Sequence, residues 1–258
     1  MDSLINLSDQ YRAESKYDSA LSVMFKLKEI AAESDDPEYL SRALIEISTT
    51  YIATKKYQFA LEAARESKKY AQMANIKSLE MIALYNIGLI KMDNDQIDSA
   101  LVYYKQVETY QREQKDSVSL GITLSGLSMA YYRLKKYDSA ISWSKESAAL
   151  YEAVGNYNYL ANRSFWIGEF YLIQEYLDTT GKRRDLLDSA EKYFYSSYVI
   201  SDSLNYPDPG FRSLRGLAVT YERKGELSEA LKYLYKSHDI TQQLYSADVE
   251  NKLLELVY

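Results

Sequence analysis

Apolar residues recur along this chain at helical spacing, and the helices they predict recur with a fixed period. Leu44, Ile47, Ser48 and Tyr51 fall at i, i+3, i+4 and i+7, one face of a helix. The same four slots hold Leu4, Leu7, Ser8 and Tyr11, then Leu84, Ile87, Gly88 and Lys91, then Leu124, Leu127, Ser128 and Tyr131. They return as Ser164, Ile167, Gly168 and Tyr171, and as Leu214, Leu217, Ala218 and Tyr221. The third slot is always Gly, Ala or Ser, small enough for two helix axes to approach closely. After each set an alanine marks a second helix: Ala20, Ala60, Ala100, Ala140, Ala190 and Ala230. Four of the five intervals between these alanines are 40 residues and one is 50.

A period of this length predicts a solenoid of stacked supersecondary units, each reading helix, short turn, helix. Asp36 is suited to cap a helix that Pro37 opens. The units are expected at about 1–36, 37–75, 76–115, 116–155, 156–206 and 207–245, in a single array over 1–258. The ten extra residues of the fifth unit are placed at 174–184, as a helix running on to about Leu177 and a loop through Gly181. A separate terminal helix is expected at 246–258, where Val249, Leu253, Leu256 and Val257 repeat at helical spacing. The fold class is therefore all-α, an α–α superhelix of six helix pairs plus a C-terminal helix, thirteen helices in all.

The large, large, small, aromatic first helix followed by the alanine of the second resembles the tetratricopeptide repeat, over nearly the whole chain. Lys91 departs from the aromatic slot, and the period exceeds the usual 34 residues of that repeat. The six additional residues are assigned to longer helices. Armadillo and HEAT arrays, with periods near 40, are the alternative. The resemblance implies that first helices line a concave side. A stripe offset by one residue from the packing stripe would face it. Ile45, Ile52, Tyr85, Leu89, Met92, Met129, Tyr132 and Phe165 on that stripe are the candidate partner-binding groove, with Arg12, Arg42, Arg212 and Arg215 as charges towards its ends. Exposed apolar surface of that extent marks a contact site; burial of the same stripe between neighbouring first helices is the competing reading. The groove's occupant is expected to be a protein or peptide segment, foreign or the chain's own Leu253, Leu256 and Val257. The carboxylate clamp of chaperone-tail binders in this family is absent, since its positions hold Ile5 and Asp9, Ile45 and Thr49, and Tyr85 and Leu89.

Composition narrows the function. The 258 residues include only 3 Pro and 9 Gly, too few for a turn-rich β-fold, and 47% are hydrophobic. A net charge of −6 disfavours contact with nucleic acid. There is no cysteine, hence no thiolate metal site, and with His238 the one histidine a metal site or a catalytic triad would need unusual ligands. His238 reads as an ordinary surface or interhelix residue, and no cofactor, metal or enzymatic activity is expected. Gly121 and Gly126 have P-loop spacing, but Leu127 and Ser128 follow where Lys and Ser/Thr are required. Gly181, Lys182, Arg183 and Arg184 form a basic cluster, either a partner contact or a solvated loop offset by Asp178, Asp185 and Asp188. The Asn-x-Ser/Thr triplets at Asn6 and Asn162 lie on expected helices and are assigned no function. Many of the 27 tyrosines occupy repeat slots and are read as packing residues with a hydroxyl at the rim.

No apolar run reaches the ~18 residues of a membrane span, and MDSLINLSDQ has no secretory n- or h-region. The closing ADVENKLLELVY reads as a helix in full stride, which suggests an excised piece. The style of the chain resembles the repeat regions of Bacteroidetes membrane-anchored transcriptional regulators and histidine kinases. That resemblance implies a sensor region, a periplasmic location and a downstream membrane helix. A free-standing cytoplasmic scaffold bridging protein partners is the alternative.

Overall fold

The computed structural model describes residues 1–179 and 183–257, with side chains except at Pro207 and 243–257. Among the described residues there are twelve α-helices and no strand. They are α1 (Asp2–Ala13), α2 (Tyr17–Glu33), α3 (Pro37–Ala53), α4 (Tyr57–Met73), α5 (Lys77–Asp93) and α6 (Ile97–Gln114), then α7 (Ser117–Arg133), α8 (Tyr137–Ala153), α9 (Tyr157–Leu177), α10 (Arg184–Ser203), α11 (Pro207–Lys224) and α12 (Leu227–Val257). The chain divides into two compact units, Met1–Asp116 and Ser117–Tyr258. Within each, consecutive helices pack on one another. In the first unit α1 also meets α3 and α3 meets α5; in the second α9 meets α11. First helices thus lie side by side, and second helices pack behind them.

The links carry the regularity. Ser15, Asp35, Lys55, Asn75, Asp95, Lys115, Lys135 and Gly155 stand twenty residues apart, and every one has a left-handed backbone with φ between 49° and 69°. Asn205 and Gly225 resume the series after the ten-residue insertion. At each link the left-handed residue and its successor close a Schellman-type cap. The Lys55 N–H donates to the Ile52 carbonyl at 3.0 Å and the Lys56 N–H to the Tyr51 carbonyl at 2.8 Å. The Lys56 carbonyl then accepts from the Ala60 N–H at 3.0 Å and begins the next helix. The marker alanines at 20, 60, 100, 140 and 230 all take this bond, which fixes their place one turn into the second helix. The carbonyl of the aromatic slot takes the other, so Lys91 serves as well as tyrosine: Gln96 N–H donates to it at 2.8 Å. The period longer than 34 residues goes into helices of 17 residues, as expected.

The small slots work in two ways. Ser8, Ser48 and Ser128 are fully buried, and their hydroxyls donate to the carbonyls of Ala20, Ala60 and Ala140 at 3.4, 2.9 and 2.7 Å. Where the slot is glycine, the second helix supplies an aromatic ring instead. A Cβ on Gly88 would lie 2.7 Å from Tyr104, and one on Gly168 would lie 2.8 Å from Phe194. Phe194 is enclosed from both sides, because a Cβ on Gly216 of α11 would lie 2.5 Å from the same ring. Each helical glycine costs about 1 kcal/mol of helix propensity, which burial of a phenylalanine, at roughly 1.5–3 kcal/mol, offsets. Three tyrosines of the fourth slot, Tyr131, Tyr171 and Tyr221, stack on Trp143, Tyr193 and Tyr233 of the second helix. Tyr221 stacks on Tyr233 with centroids 5.3 Å apart and donates to Glu191 at 2.7 Å.

One expectation is corrected. No separate helix begins at residue 246; α12 is continuous from Leu227 to Val257. That stretch contains neither Gly nor Pro, and the next link position in the twenty-residue series falls on Tyr245, a bulky residue for a left-handed backbone. The ten-residue insertion lies between α9 and α10. α9 extends to Leu177 as expected, and α10 begins at Arg184 and takes up part of the added length; residues 180–182 of the expected loop lie outside the described residues. Arg183 of the basic cluster donates through its backbone N–H to Asp178 and through its side chain to Asp185.

Two tests follow from this packing. A left-handed lysine costs about 1–2 kcal/mol, and the extra chain entropy of glycine returns about 0.5–1 of it. Lys55→Gly and Lys135→Gly are each expected to raise the thermal midpoint, by about 2 °C; a fall in both would contradict the assigned backbone. Gly216→Ala should destabilise by about 1–3 kcal/mol although alanine is the better helix former. The loss should shrink in a Phe194→Leu background, which a double-mutant cycle reads directly.

Candidate functional site

The enclosed Phe194 ring sets how closely α9 and α11 approach, and a groove lies along that seam. Phe165 of α9 rests on Phe194 with centroids 5.9 Å apart and meets Trp166 edge-on at 5.4 Å. This aromatic floor holds a cation: the Arg212 guanidinium of α11 lies 4.1 Å above the Phe165 ring and 5.5 Å from Trp166. Such contacts contribute about 0.5–2 kcal/mol and keep the arginine extended. Asp208, one turn earlier on α11, steadies it at 3.5 Å.

Further along the seam, Glu169 and Leu172 of α9 face Arg215, Gly216 and Val219 of α11 around a cavity of about 260 Å³. Leu172 and Val219 also line a second cavity of about 430 Å³, with Ile173, Tyr176, Glu222 and Arg223. The two share walls and form one groove. Its far end is closed by the ion pair between Arg223 and Glu175, where the Arg223 Nη2 donates to the Glu175 Oε1 at 3.1 Å. The middle is apolar. Arg212 and the exposed Arg215 give one end positive charge, set against the half-buried Glu169.

An equivalent seam in the first unit is closed. Thr49 and Asn86 occupy the register positions of Glu169 and Gly216, and the Asn86 Nδ2 donates to the Thr49 Oγ1 at 3.2 Å between α3 and α5. With no side chain at Gly216 to meet Glu169, the α9–α11 seam stays open.

Of the residues singled out in the sequence, Phe165, Arg212 and Arg215 come together in this groove. Phe165 is its floor and is buried. Met129 and Tyr132 of α7 are half-buried, and Tyr132 packs on Phe170 of α9 with centroids 5.1 Å apart. In the first unit Ile52, Tyr85 and Leu89 are half-buried, and Tyr85 rests on Tyr104 at 5.4 Å as Phe165 rests on Phe194. Ile45 and Met92 are buried, Ile45 in a cluster with Ala71 and Leu79, so these two serve packing and not an open strip. The reason is the side-by-side contact of α3 with α5, which draws part of the offset stripe into the seam. Arg12 pairs with Asp9 and with Glu46 at 2.7 Å, and Arg42 pairs with Glu38 at 2.8 Å, so both charges are already engaged. His238 and Asn6 are exposed, and Asn162 accepts from Arg163 at 2.6 Å. The sequence reading missed Gly216, Val219, Ile173, Tyr176 and Arg223. The register of Gly216 holds Glu46, Asn86, Gly126 and Trp166, so its glycine, shared with Gly126, did not single the seam out.

Burial raises the Glu169 carboxyl above its ordinary value of 4.5, and the opposing pull of Arg212 does not cancel it. An acid raised in the folded state destabilises the fold when ionised. That cost is present at neutral pH, fades as pH falls through the folded pKa, and is gone below the unfolded value. Glu169→Gln should therefore raise the thermal midpoint at pH 7 and give no gain near pH ~4. An equal gain at both values would remove the charge as the cause.

Family models described as tetratricopeptide repeat match residues 79–153 and 212–248. No curated protein matches the sequence. Among solved structures, BtubC (BKLC) from P. vanneervenii is similar with a TM-score of 0.74 at 14% identity, over 90% of this chain and 92% of that one. A Signal Transduction ATPase with Numerous Domains protein from Pyrococcus horikoshii, described as having a tetratricopeptide repeat sensor, gives a TM-score of 0.72 at 20% identity, over 95% of this chain and 37% of that one. Aspartyl phosphate phosphatase F from Bacillus subtilis gives 0.64 at 20% identity, over 93% and 59%. These likenesses establish the fold. Among the described residues no helix is long and apolar enough to cross a membrane. Residues 79–153 and 212–248 thus carry tetratricopeptide repeats within an all-α helical-repeat fold, and such repeats generally serve as a non-catalytic scaffold for protein–protein interaction.

Proposed function

We propose that the chain is a protein-binding module whose α9–α11 groove takes a peptide segment of a partner, and that it is the sensor region of a larger bacterial signalling or transcription-regulatory protein. The observation that carries the binding reading is the open seam itself. Leu172, Val219 and Tyr176 form an apolar trough, and Arg215 stands exposed at its charged end beside Arg212. A trough of this kind fits a segment with large apolar side chains and an acidic residue to meet Arg215. Ile52, Tyr85 and Leu89 of the first unit offer a second, shallower apolar strip. The sensor reading is supported by the repeat style of the sequence and by the likeness to the Pyrococcus protein with a repeat sensor.

A photo-crosslinking residue at Val219 or Tyr176, both exposed, tests the groove in cells of the source organism. One defined partner should crosslink at both sites. Leu172→Glu should abolish capture while leaving the melting profile nearly unchanged. Crosslinking that survives Leu172→Glu would place the binding surface elsewhere.

A further inference from the structure

The second helices share a register, so residues forty apart, or fifty across the insertion, occupy equivalent places. The place of Leu234 is held by Met24, Ala64, Tyr104, Ser144 and Phe194, each fully buried, whereas Leu234 is 51% exposed. Met24 packs with Ala43, Leu44 and Ile47 of the following first helix, and Phe194 against Gly216 of α11. The same holds one turn and two turns earlier. Leu231 is 52% exposed where Leu21 and Ile141 are buried, and Leu227 is 63% exposed where Ile97 and Leu187 are buried. Leu227, Leu231, Leu234 and the exposed Tyr235 lie at i, i+4, i+7 and i+8, one face of α12. It is the apolar receiving face of a repeat, with nothing laid upon it among the described residues.

α1 shows the opposite solution. Ser3 and Gln10 are exposed on α1, whereas their register equivalents Ala43, Ala83, Ile90, Ala130 and Phe170 are completely buried. A polar outer face of that kind lets a helix stand in water. α12 lacks it.

We propose that this face is a dimerisation surface, covered by α12 of a second copy running antiparallel. Apolar residues on both sides make the face self-complementary, which a twofold interface requires. The polar α1 is a poor complement, so head-to-tail stacking does not satisfy it. Length supports the pairing. At 31 residues α12 is about 46 Å long, against about 26 Å for the 17-residue helices. In the sequence, Tyr245, Val249, Leu253 and Leu256 continue the spacing of three and four. Antiparallel pairing centred on Gln242, the midpoint of α12, sets positions 227, 231 and 235 opposite 257, 253 and 249. It also opposes the helix macrodipoles and holds the two stacks at opposite ends of the pair.

Light scattering after size exclusion tests the pairing. The chain should have twice its 29.8 kDa mass, and Leu231→Glu with Leu234→Glu should return the monomer with unchanged helical signal and melting profile. Should the double variant fail to fold, Leu234→Ser takes its place. The chain has no cysteine, so single cysteines report geometry. Gln242→Cys should oxidise to a covalent dimer and Leu227→Cys should not. A monomer at ~100 µM, where a Kd of about 1 µM would be saturated, overturns the proposal. So does a dimer that survives the Leu231 and Leu234 substitutions. Crosslinking at both cysteine positions, the mark of parallel pairing, also overturns it.

Discussion

The close approach of helix backbones at the small slots is the constraint on which the rest of the structure depends. Three slots meet it with a buried serine that ties its hydroxyl to the marker alanine's carbonyl. Two meet it with glycine and an aromatic ring laid on the bare backbone. Phe194 extends this contact across a repeat boundary, because Gly168 and Gly216 press on the one ring from successive first helices. Interiors pack at near-crystalline density, so the thickness of that ring fixes the spacing of α9 and α11. The floor of Phe165 and the stack of Arg212 on it follow from that spacing.

Helix pairing was legible in the sequence because it rests on residue type. A slot that must be small can be filled only by Gly, Ala or Ser, and the marker alanine returns with it. The twenty-residue rhythm of the links was not legible, because it rests on backbone conformation. A left-handed residue is tolerated by Ser, Asp, Asn and Lys as well as Gly, and the hydrogen bonds that stabilise the link use main-chain groups alone. The same distinction explains the misplaced break at residue 246. Helical spacing on either side of Ser246 suggested two helices, yet spacing does not show whether a turn intervenes.

The candidate site was half legible. Phe165, Arg212 and Arg215 were found because periodicity identifies which residues share the inner side of a first helix. Whether that side is open depends on the neighbouring helix, which a single helix's pattern does not contain. Ile45 and Met92 followed the pattern as well as Phe165 and are packed away. Val219 and Tyr176 face the groove through the pairing of α9 with α11 and through the insertion that lengthens α9.

The open seam has a simple origin in volume. Twenty-two residues separate a second-helix slot from the next first-helix position that shares its space, and in every pair but Met24 with Glu46 the sizes trade against each other. Ala64 is followed by Asn86, Ser144 by Trp166, and Phe194 by Gly216. Where the second helix is small, the first-helix residue can be large enough to reach its neighbour, as Asn86 reaches Thr49. Where the second helix supplies a phenylalanine, the following position must be glycine, and nothing remains to fill the seam against Glu169. A large core residue on the outer layer thus creates a vacancy on the inner one. The groove is a consequence of packing the core tightly behind it.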